Sequence, residues 1–220
     1  MCGAELNALP EGVRRVAKAL QDKGHPHSPQ MLDDAARTAQ QAADALGIAV
    51  GQIAKSIIFR RKSDDATVLV IASGDRRVDE KKLDALVGKT GRADAEFVKA
   101  KTGFSIGGVS PIAHARPPVT LIDRELFRFA EIWAAAGHPH GVFQLSPQQL
   151  ESLVGAPVAD VVKHDEPVPS PCTSVCRMNA DTGLCEGCFR TLDEIAAWSR
   201  MGDDEKRALW RVLVERVGPE

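Results

Sequence analysis

The sequence predicts an α+β fold, a central mixed β-sheet surrounded by helices, followed by a small metal-stabilised helical module. Three observations carry this. Helical-period segments and β-branched runs are interleaved over the first three-quarters of the chain without strict strand–helix–strand alternation. Pro167, Pro169 and Pro171 then fall at alternate positions in a stretch with no apolar period, the mark of an extended linker. Beyond it, four cysteines crowd between Cys172 and Cys188. At 220 residues the chain is long enough for one good-sized core and an appendage. We therefore expect a large domain over residues 1–162, a linker over 163–171 and a four-cysteine module over 172–220.

The first helix starts near Pro10, which a first turn tolerates, carries Val13, Val16, Ala17 and Leu20 at helical spacing, and closes at Gly24. A loop through His25-Pro26-His27-Ser28-Pro29 leads to a second, alanine-rich helix expected over Leu32–Leu46 and ended by Gly47. Ser56–Arg61 and Thr67–Ala72 are β-branched runs separated by the polar break Lys62-Ser63-Asp64-Asp65, and read as a hairpin. Helices return over Asp79–Val87 and Asp94–Lys101, a glycine-rich loop spans Gly103–Pro111, and Pro118–Ile122 is a further strand. Glu131–Ala135 and Val142–Leu145 flank the turn Gly137-His138-Pro139-His140-Gly141, Ser146-Pro147 opens a helix to Leu153, and Val158–Val162 is the expected closing strand. In the module, Thr191 and Glu194 form a capping box for a helix to Arg200, and a last helix runs over Asp203–Val217.

Composition excludes several classes of function. The longest apolar runs, such as Val68–Ala72, fall far short of the roughly 20 residues that cross a bilayer, so no membrane partner is expected. The first residues have neither a basic start nor an apolar stretch. A cytoplasmic location is expected, where thiols stay reduced and clustered cysteines point to metal before disulfides. A net charge of −2 argues against coating nucleic acid through bulk charge, and no DNA partner is expected. Arg60-Arg61-Lys62, Arg76-Arg77, Lys81-Lys82 and the Lys89/Arg92/Lys99/Lys101 group read equally as solvated surface or as a local basic patch.

The chain has no Gly-x-Ser-x-Gly elbow, no His-Glu-x-x-His, no phosphate-binding loop, and no cysteine between Cys2 and Cys172. What it has is Ile53-Ala54-Lys55-Ser56-Ile57-Ile58-Phe59, a lysine entering an apolar strand, and Gly107-Gly108-Val109-Ser110-Pro111. A glycine-rich loop lets backbone N–H groups approach a carbonyl oxygen as negative charge builds on it. A lysine on a rigid strand can fix a phosphate or hydroxyl. By charge pattern alone Lys55 also reads as a lysine snorkelling from a strand edge, and the glycines as an ordinary turn.

These two segments, with Thr38–Leu46, Val119-Thr120-Leu121-Ile122-Asp123 and Phe143-Gln144-Leu145-Ser146-Pro147 in the same order, resemble the YbaK/ProX family of aminoacyl-tRNA deacylases, related to the editing insertion of bacterial prolyl-tRNA synthetase. The likeness spans roughly residues 10–162. It implies the fold of that family and a trans-acting hydrolase that cleaves the ester of mischarged tRNA. Lys55 matches the family's functional lysine, and Gly107 with Pro111 its Gly-x-x-x-Pro loop. The resemblance also implies assistance by the substrate's own ribose hydroxyl and no cofactor for the ester chemistry. Gly108 belongs with the loop, and His138 stands where relatives carry a functional glycine or histidine near the pocket mouth. The turn around His138 departs from the glycine-rich, arginine-containing turn of the YbaK branch, so that branch's cysteine specificity is not carried over. An apolar pocket distinguishes one methylene by only about 1–3 kcal/mol, so editing works by excluding the larger, correct amino acid. Alanine, serine, threonine, cysteine and 2-aminobutyrate are the expected class. Met31, Phe104 and Ile106 are candidate walls or plain core, and Ser110 a donor or a turn cap. The implied partners are the acceptor end of mischarged tRNA and an aminoacyl-tRNA synthetase.

Cys172-x-x-x-Cys176 and Cys185-x-x-Cys188 can converge on one tetrahedral ion, and a domain of about 50 residues has too small a core to hold together easily unaided. With Arg190-Thr191, Glu194-Ile195, Trp198 and Met201 the segment resembles the DUF1289 family, proposed to be an iron–sulfur protein. Spacing accepts either zinc or a cluster. Structural zinc is favoured because nothing else suggests electron transfer. Two other functions stay open at this point: a non-catalytic tRNA- or synthetase-binding module, and a redox or iron sensor centred on the cysteines.

Overall fold

The computed structural model describes residues 9–164 and 168–217. Backbone contacts divide the chain into two compact units, Met1–Lys163 and His164–Glu220. Residues 165–167 of the expected linker lie outside the described residues.

The first unit is α+β, as expected. Its elements are α1 (Glu11–Asp22), β1 (Gln30–Met31), α2 (Ala39–Leu46), β2 (Ile53–Arg61), β3 (Thr67–Ser73), α3 (Glu80–Val87), β4 (Thr90–Arg92), α4 (Ala95–Thr102), β5 (Val119–Asp123), β6 (Ile132–Ala135), β7 (Gly141–Leu145), α5 (Pro147–Val154) and β8 (Val158–Ala159). The strands form one mixed sheet in the order β1-β7-β6-β2-β3-β5-β8, with β4 paired to β2 off this path. β2 and β3 are the expected hairpin, in register from Ala54 opposite Ser73 to Arg60 opposite Thr67. β3 is buried along its whole length, which explains its unbroken apolar run, because a strand covered on both faces has no polar side. One core cluster holds Val16, Leu20, Leu69, Ile71, Phe104 and Phe143, and another gathers Val68, Val70, Leu83 and Val161.

Three expectations need correction. The second helix begins at Ala39, not Leu32, because the Thr38 hydroxyl caps Gln41 N–H while the Gln41 side chain accepts from Thr38 N–H. The preceding stretch is drawn off by other bonds: Leu32 N–H donates to His140 O at 2.7 Å and Ala36 N–H to Pro139 O at 2.9 Å. β4 had no counterpart in the sequence reading, being three residues long with a central glycine. The closing strand is only Val158–Ala159, parallel to β5; Val162 instead bridges Val78.

The second unit holds α6 (Leu192–Ala197), shorter than expected, and α7 (Asp203–Val217). Thr191 and Glu194 form the expected capping box. Glu194 also accepts two bonds from the Arg216 guanidinium, at 2.7 and 3.0 Å, which tie the two helices together. No helix among the described residues is long and apolar enough to cross a membrane.

Candidate active site

β2 is the middle of the site because its neighbours change along its length. β6 runs beside Ile53 and Ala54, and β4 beside Phe59–Arg61. A cleft of about 850 Å³ opens between them, lined by Lys55, Ser56, Ile58, Asp75, Gly107 and His138 among others. Its other walls include small or apolar side chains: Ala54, Ala93, Val98, Val109, Trp133 and Ala134.

Lys55 stands half-buried on β2, and its Nζ donates to Arg76 O at 3.0 Å. Burial lowers its pKa, opposed by the carboxylates of Asp75 and Asp123. Asp75 itself sits in a network: Arg128 Nη2 reaches both of its oxygens at 2.5 Å, and Ser73 Oγ lies 2.8 Å from Oδ1. Burial pushes the Asp75 pKa up, but the bonds from Arg128 and Ser73 outweigh it and hold the group below its ordinary value. The buried Asp123, which accepts from Ser73 N–H, is shifted upward by burial.

The glycine loop and the histidine turn meet backbone to backbone. A Cβ on Gly108 would lie 2.7–2.9 Å from the main chain of His138, so only glycine permits the approach, and Gly107 takes a left-handed φ of +90°. Gly108 N–H is already donated to Ser105 O at 3.0 Å, so this residue packs the loop and offers no free donor. Among the described residues, the N–H groups of Gly107 and Val109 have no backbone acceptor. Both residues line the cleft. His138 Nδ1 accepts from His140 N–H at 3.3 Å, which leaves the proton of the neutral ring on Nε2. Burial, with His140 stacked beside it, lowers the His138 pKa.

The remaining sequence candidates are placed as follows. Ile106 is exposed and lines the cleft. Phe104 is core, with the Arg15 guanidinium 4.2 Å above its ring and His114 edge-on. Ser110 and Pro111 are buried off the cleft, and Ser110 Oγ accepts from Ile112 N–H at 3.3 Å. Met31 pairs with Gly141 and does not line the cleft. Sequence reasoning missed Arg37, Ser56, Asp75 and Trp133, all of which line it. The Thr38-x-x-Gln41 capping signal was available to place Arg37 just outside a helix start; nothing comparable marks Asp75 or Trp133.

In the second unit Cys172 first, then Cys185 and Cys188, push the Cys176 thiol pKa up, while main-chain bonds at Gly187 and Cys188 lower that of Cys185. Among the described residues no three cysteine, histidine or acidic side chains stand grouped so as to hold an ion. Cys185 and Cys188 are buried; Cys172 and Cys176 are exposed. The buried Arg190 directs Nε to Cys188 Sγ at 3.3 Å, with its guanidinium carbon 5.2 Å from the Trp198 ring.

A mixed sheet carrying a lysine, a glycine loop and a histidine turn around one cleft defines a class, and comparison with known proteins gives it a family. Residues 33–153 match the family model of the aminoacyl-tRNA editing domain, and residues 170–217 match DUF1289, a family of unknown function. The chain belongs to the aminoacyl-tRNA editing domain family. It is 34% identical over 123 residues to the uncharacterized protein YwhH of Bacillus subtilis, covering 56% of this chain and 78% of YwhH. The uncharacterized protein YdhL of Escherichia coli is 41% identical over 51 residues, 23% of this chain and 63% of its own length. A proline–tRNA ligase from Thermoanaerobacter is 30% identical over 94 residues, which are 41% of this chain and 16% of the ligase. Among solved structures, a proposed trans-editing enzyme for prolyl tRNA synthetase superposes with a TM-score of 0.67 at 38% identity, covering 71% of this chain and all of the other.

Proposed function

We infer that the cleft of the first unit hydrolyses the ester of tRNA mischarged with a small amino acid. The observation that carries this is the convergence of Lys55, Gly107 and His138 on one cleft with small apolar walls. An aminoacyl ester is already activated, so positioning and charge stabilisation suffice without an enzymic nucleophile. Water adds to the carbonyl carbon, the bond to the ribose oxygen breaks, and that oxygen takes a proton, releasing the amino acid. In this reading the free N–H groups of Gly107 and Val109 receive the carbonyl oxygen as it becomes negative. His138 Nε2–H donates to the ribose end, and Lys55, fixed through Arg76, holds a phosphate or hydroxyl of the tRNA terminus. The likeness to proline–tRNA ligases makes tRNA for proline the first to test, with a synthetase as candidate partner.

The test is a panel of tRNAs mischarged with alanine, serine, threonine, cysteine and 2-aminobutyrate, incubated with wild type and Lys55→Ala. Accelerated loss of at least one ester, abolished in the variant, is expected. Binding of charged tRNA with every ester left intact would instead establish the non-catalytic module.

For the second unit we propose that both thiol pairs close on a single structural metal, with zinc ahead of an iron–sulfur cluster. The donor set fits, since four thiolates suffice for either. The buried Arg190 supports it: a buried cation is costly without an anion, and among the described residues no carboxylate pairs with this one, whereas Cys188 sulfur touches it. Metal bound here would cross-link the module and take no part in ester cleavage. Elemental analysis of the full chain should find one zinc in a colourless protein, lost in Cys185→Ser. A brown protein would establish the cluster, and no bound metal after reconstitution would refute both.

A further inference from the structure

Strand parity singles out one residue in the cleft. In an antiparallel strand the N–H and C=O of a residue point to the same edge, and successive residues alternate edges. Arg61 N–H donates to Ala66 O, on the β3 side, while Lys62 N–H donates to Lys89 O, on the β4 side. Counting back, Lys55, Ile57 and Phe59 turn their main chain toward β3, and Ala54, Ser56, Ile58 and Arg60 turn theirs toward the other edge. On that edge the β6 register ends at Ala54 and the β4 register begins at Phe59. Ser56 therefore stands in a gap between partner strands, within the cleft, and among the described residues its N–H and C=O have no loop partner either.

A free N–H and a free C=O on one edge are what an antiparallel partner residue would fill, exchanging two hydrogen bonds. We propose that the main chain of Ser56 docks the amino acid of the substrate as though it were one residue of a missing strand. Ser56 C=O accepts from the α-ammonium group, and Ser56 N–H donates to the ester carbonyl, whose second lone pair remains for the glycine loop. This deepens, and rests on, the deacylase reading. It assigns the substrate class as esters with an N–H donor on the α-carbon, and it disfavours hydroxy-acid esters, which have no such donor for Ser56 C=O. The amino acid side chain plays no part in these two bonds and is selected only by the apolar walls.

One tRNA carrying alanine, N-acetylalanine or lactate tests this with wild type and Ser56→Pro. Ser56 Oγ is buried without a partner, so what this position offers a substrate is its main chain. Proline removes only the N–H on the open edge, a place where a strand tolerates it, and should lower alanine release by about 10-fold or more. Wild type should release lactate by a similar or larger factor more slowly than alanine, and N-acetylalanine, which keeps an N–H but loses the charge, at a rate between the two. Equal rates on all three esters would overturn the docking mode while leaving the deacylase intact. Release of none would overturn both. Should Ser56→Pro fail to fold, the three-ester series in wild type still decides.

Discussion

The two units hold their functional groups by opposite means. In the first, Lys55 and His138 hang on a sheet whose β3 strand is buried throughout, and the loop and turn at the cleft are locked by a glycine contact. In the second, the buried apolar side chains among the described residues are Pro171, Leu209 and Leu213 besides two cysteines. The cysteine turns there also place Ser174, Cys176 and Phe189 at φ of +64°, +48° and +55°, left-handed conformations that cost a non-glycine residue on the order of 1 kcal/mol each. A core can preform a site through packing alone. A strained set of turns with almost no core gains far more from a cross-link, which is the part the proposed metal would play in the second unit.

The largest effect expected from this contrast is on metal removal. A chelator should unfold the second unit, since structural zinc in small domains contributes on the order of 10 kcal/mol, and leave deacylation and the melting of the first unit unchanged. Calorimetry in which both units shift together, or neither does, would abolish the distinction. Next, Lys55→Ala should lower deacylation by about 100- to 1000-fold at an unchanged melting temperature, because its side chain holds the site and not the sheet. Gly108→Ala should cost about 2 kcal/mol of stability and lower the rate as well, since loop and turn must separate; denaturant titration and kinetics on one sample check both.

The smallest expected effect is with acid. Burial lowers the His114 pKa to about 4, only partly opposed by the Ser110 main chain. The unfolded chain, with an ordinary histidine, takes up this proton first, so stability falls as pH drops through about 6.5 toward 4. His114→Phe should flatten that segment of the stability profile. An unchanged slope would show that other groups carry it.

Much of this was legible before any coordinates. Periodicity located the β2–β3 hairpin, and Ser146-Pro147 and Thr191-x-x-Glu194 marked helix starts because caps are written locally. Lys55, Gly107 and His138 were found through motif and resemblance, and the structure places all three at one cleft. The misses share a cause, which is tertiary competition. Residues 32–37 have helical composition, but the turn at Pro139 and His140 captures the N–H groups of Leu32 and Ala36. Phe104 adjoins the glycine loop in sequence, yet an apolar side chain carries no sign of whether it faces core or cleft. Asp75 enters the site because β3 ends beside Lys55, a fact of register and not of local pattern.

The place left vacant between β6 and β4 also bears on how such a cleft changes over time. Because its hydrogen-bonding groups belong to the backbone, substitutions at Ala93, Val98 or Trp133 can resize the chamber without disturbing them. A lineage built on this frame is free to drift from one rejected amino acid to another, altering its selectivity while its grip is inherited unchanged.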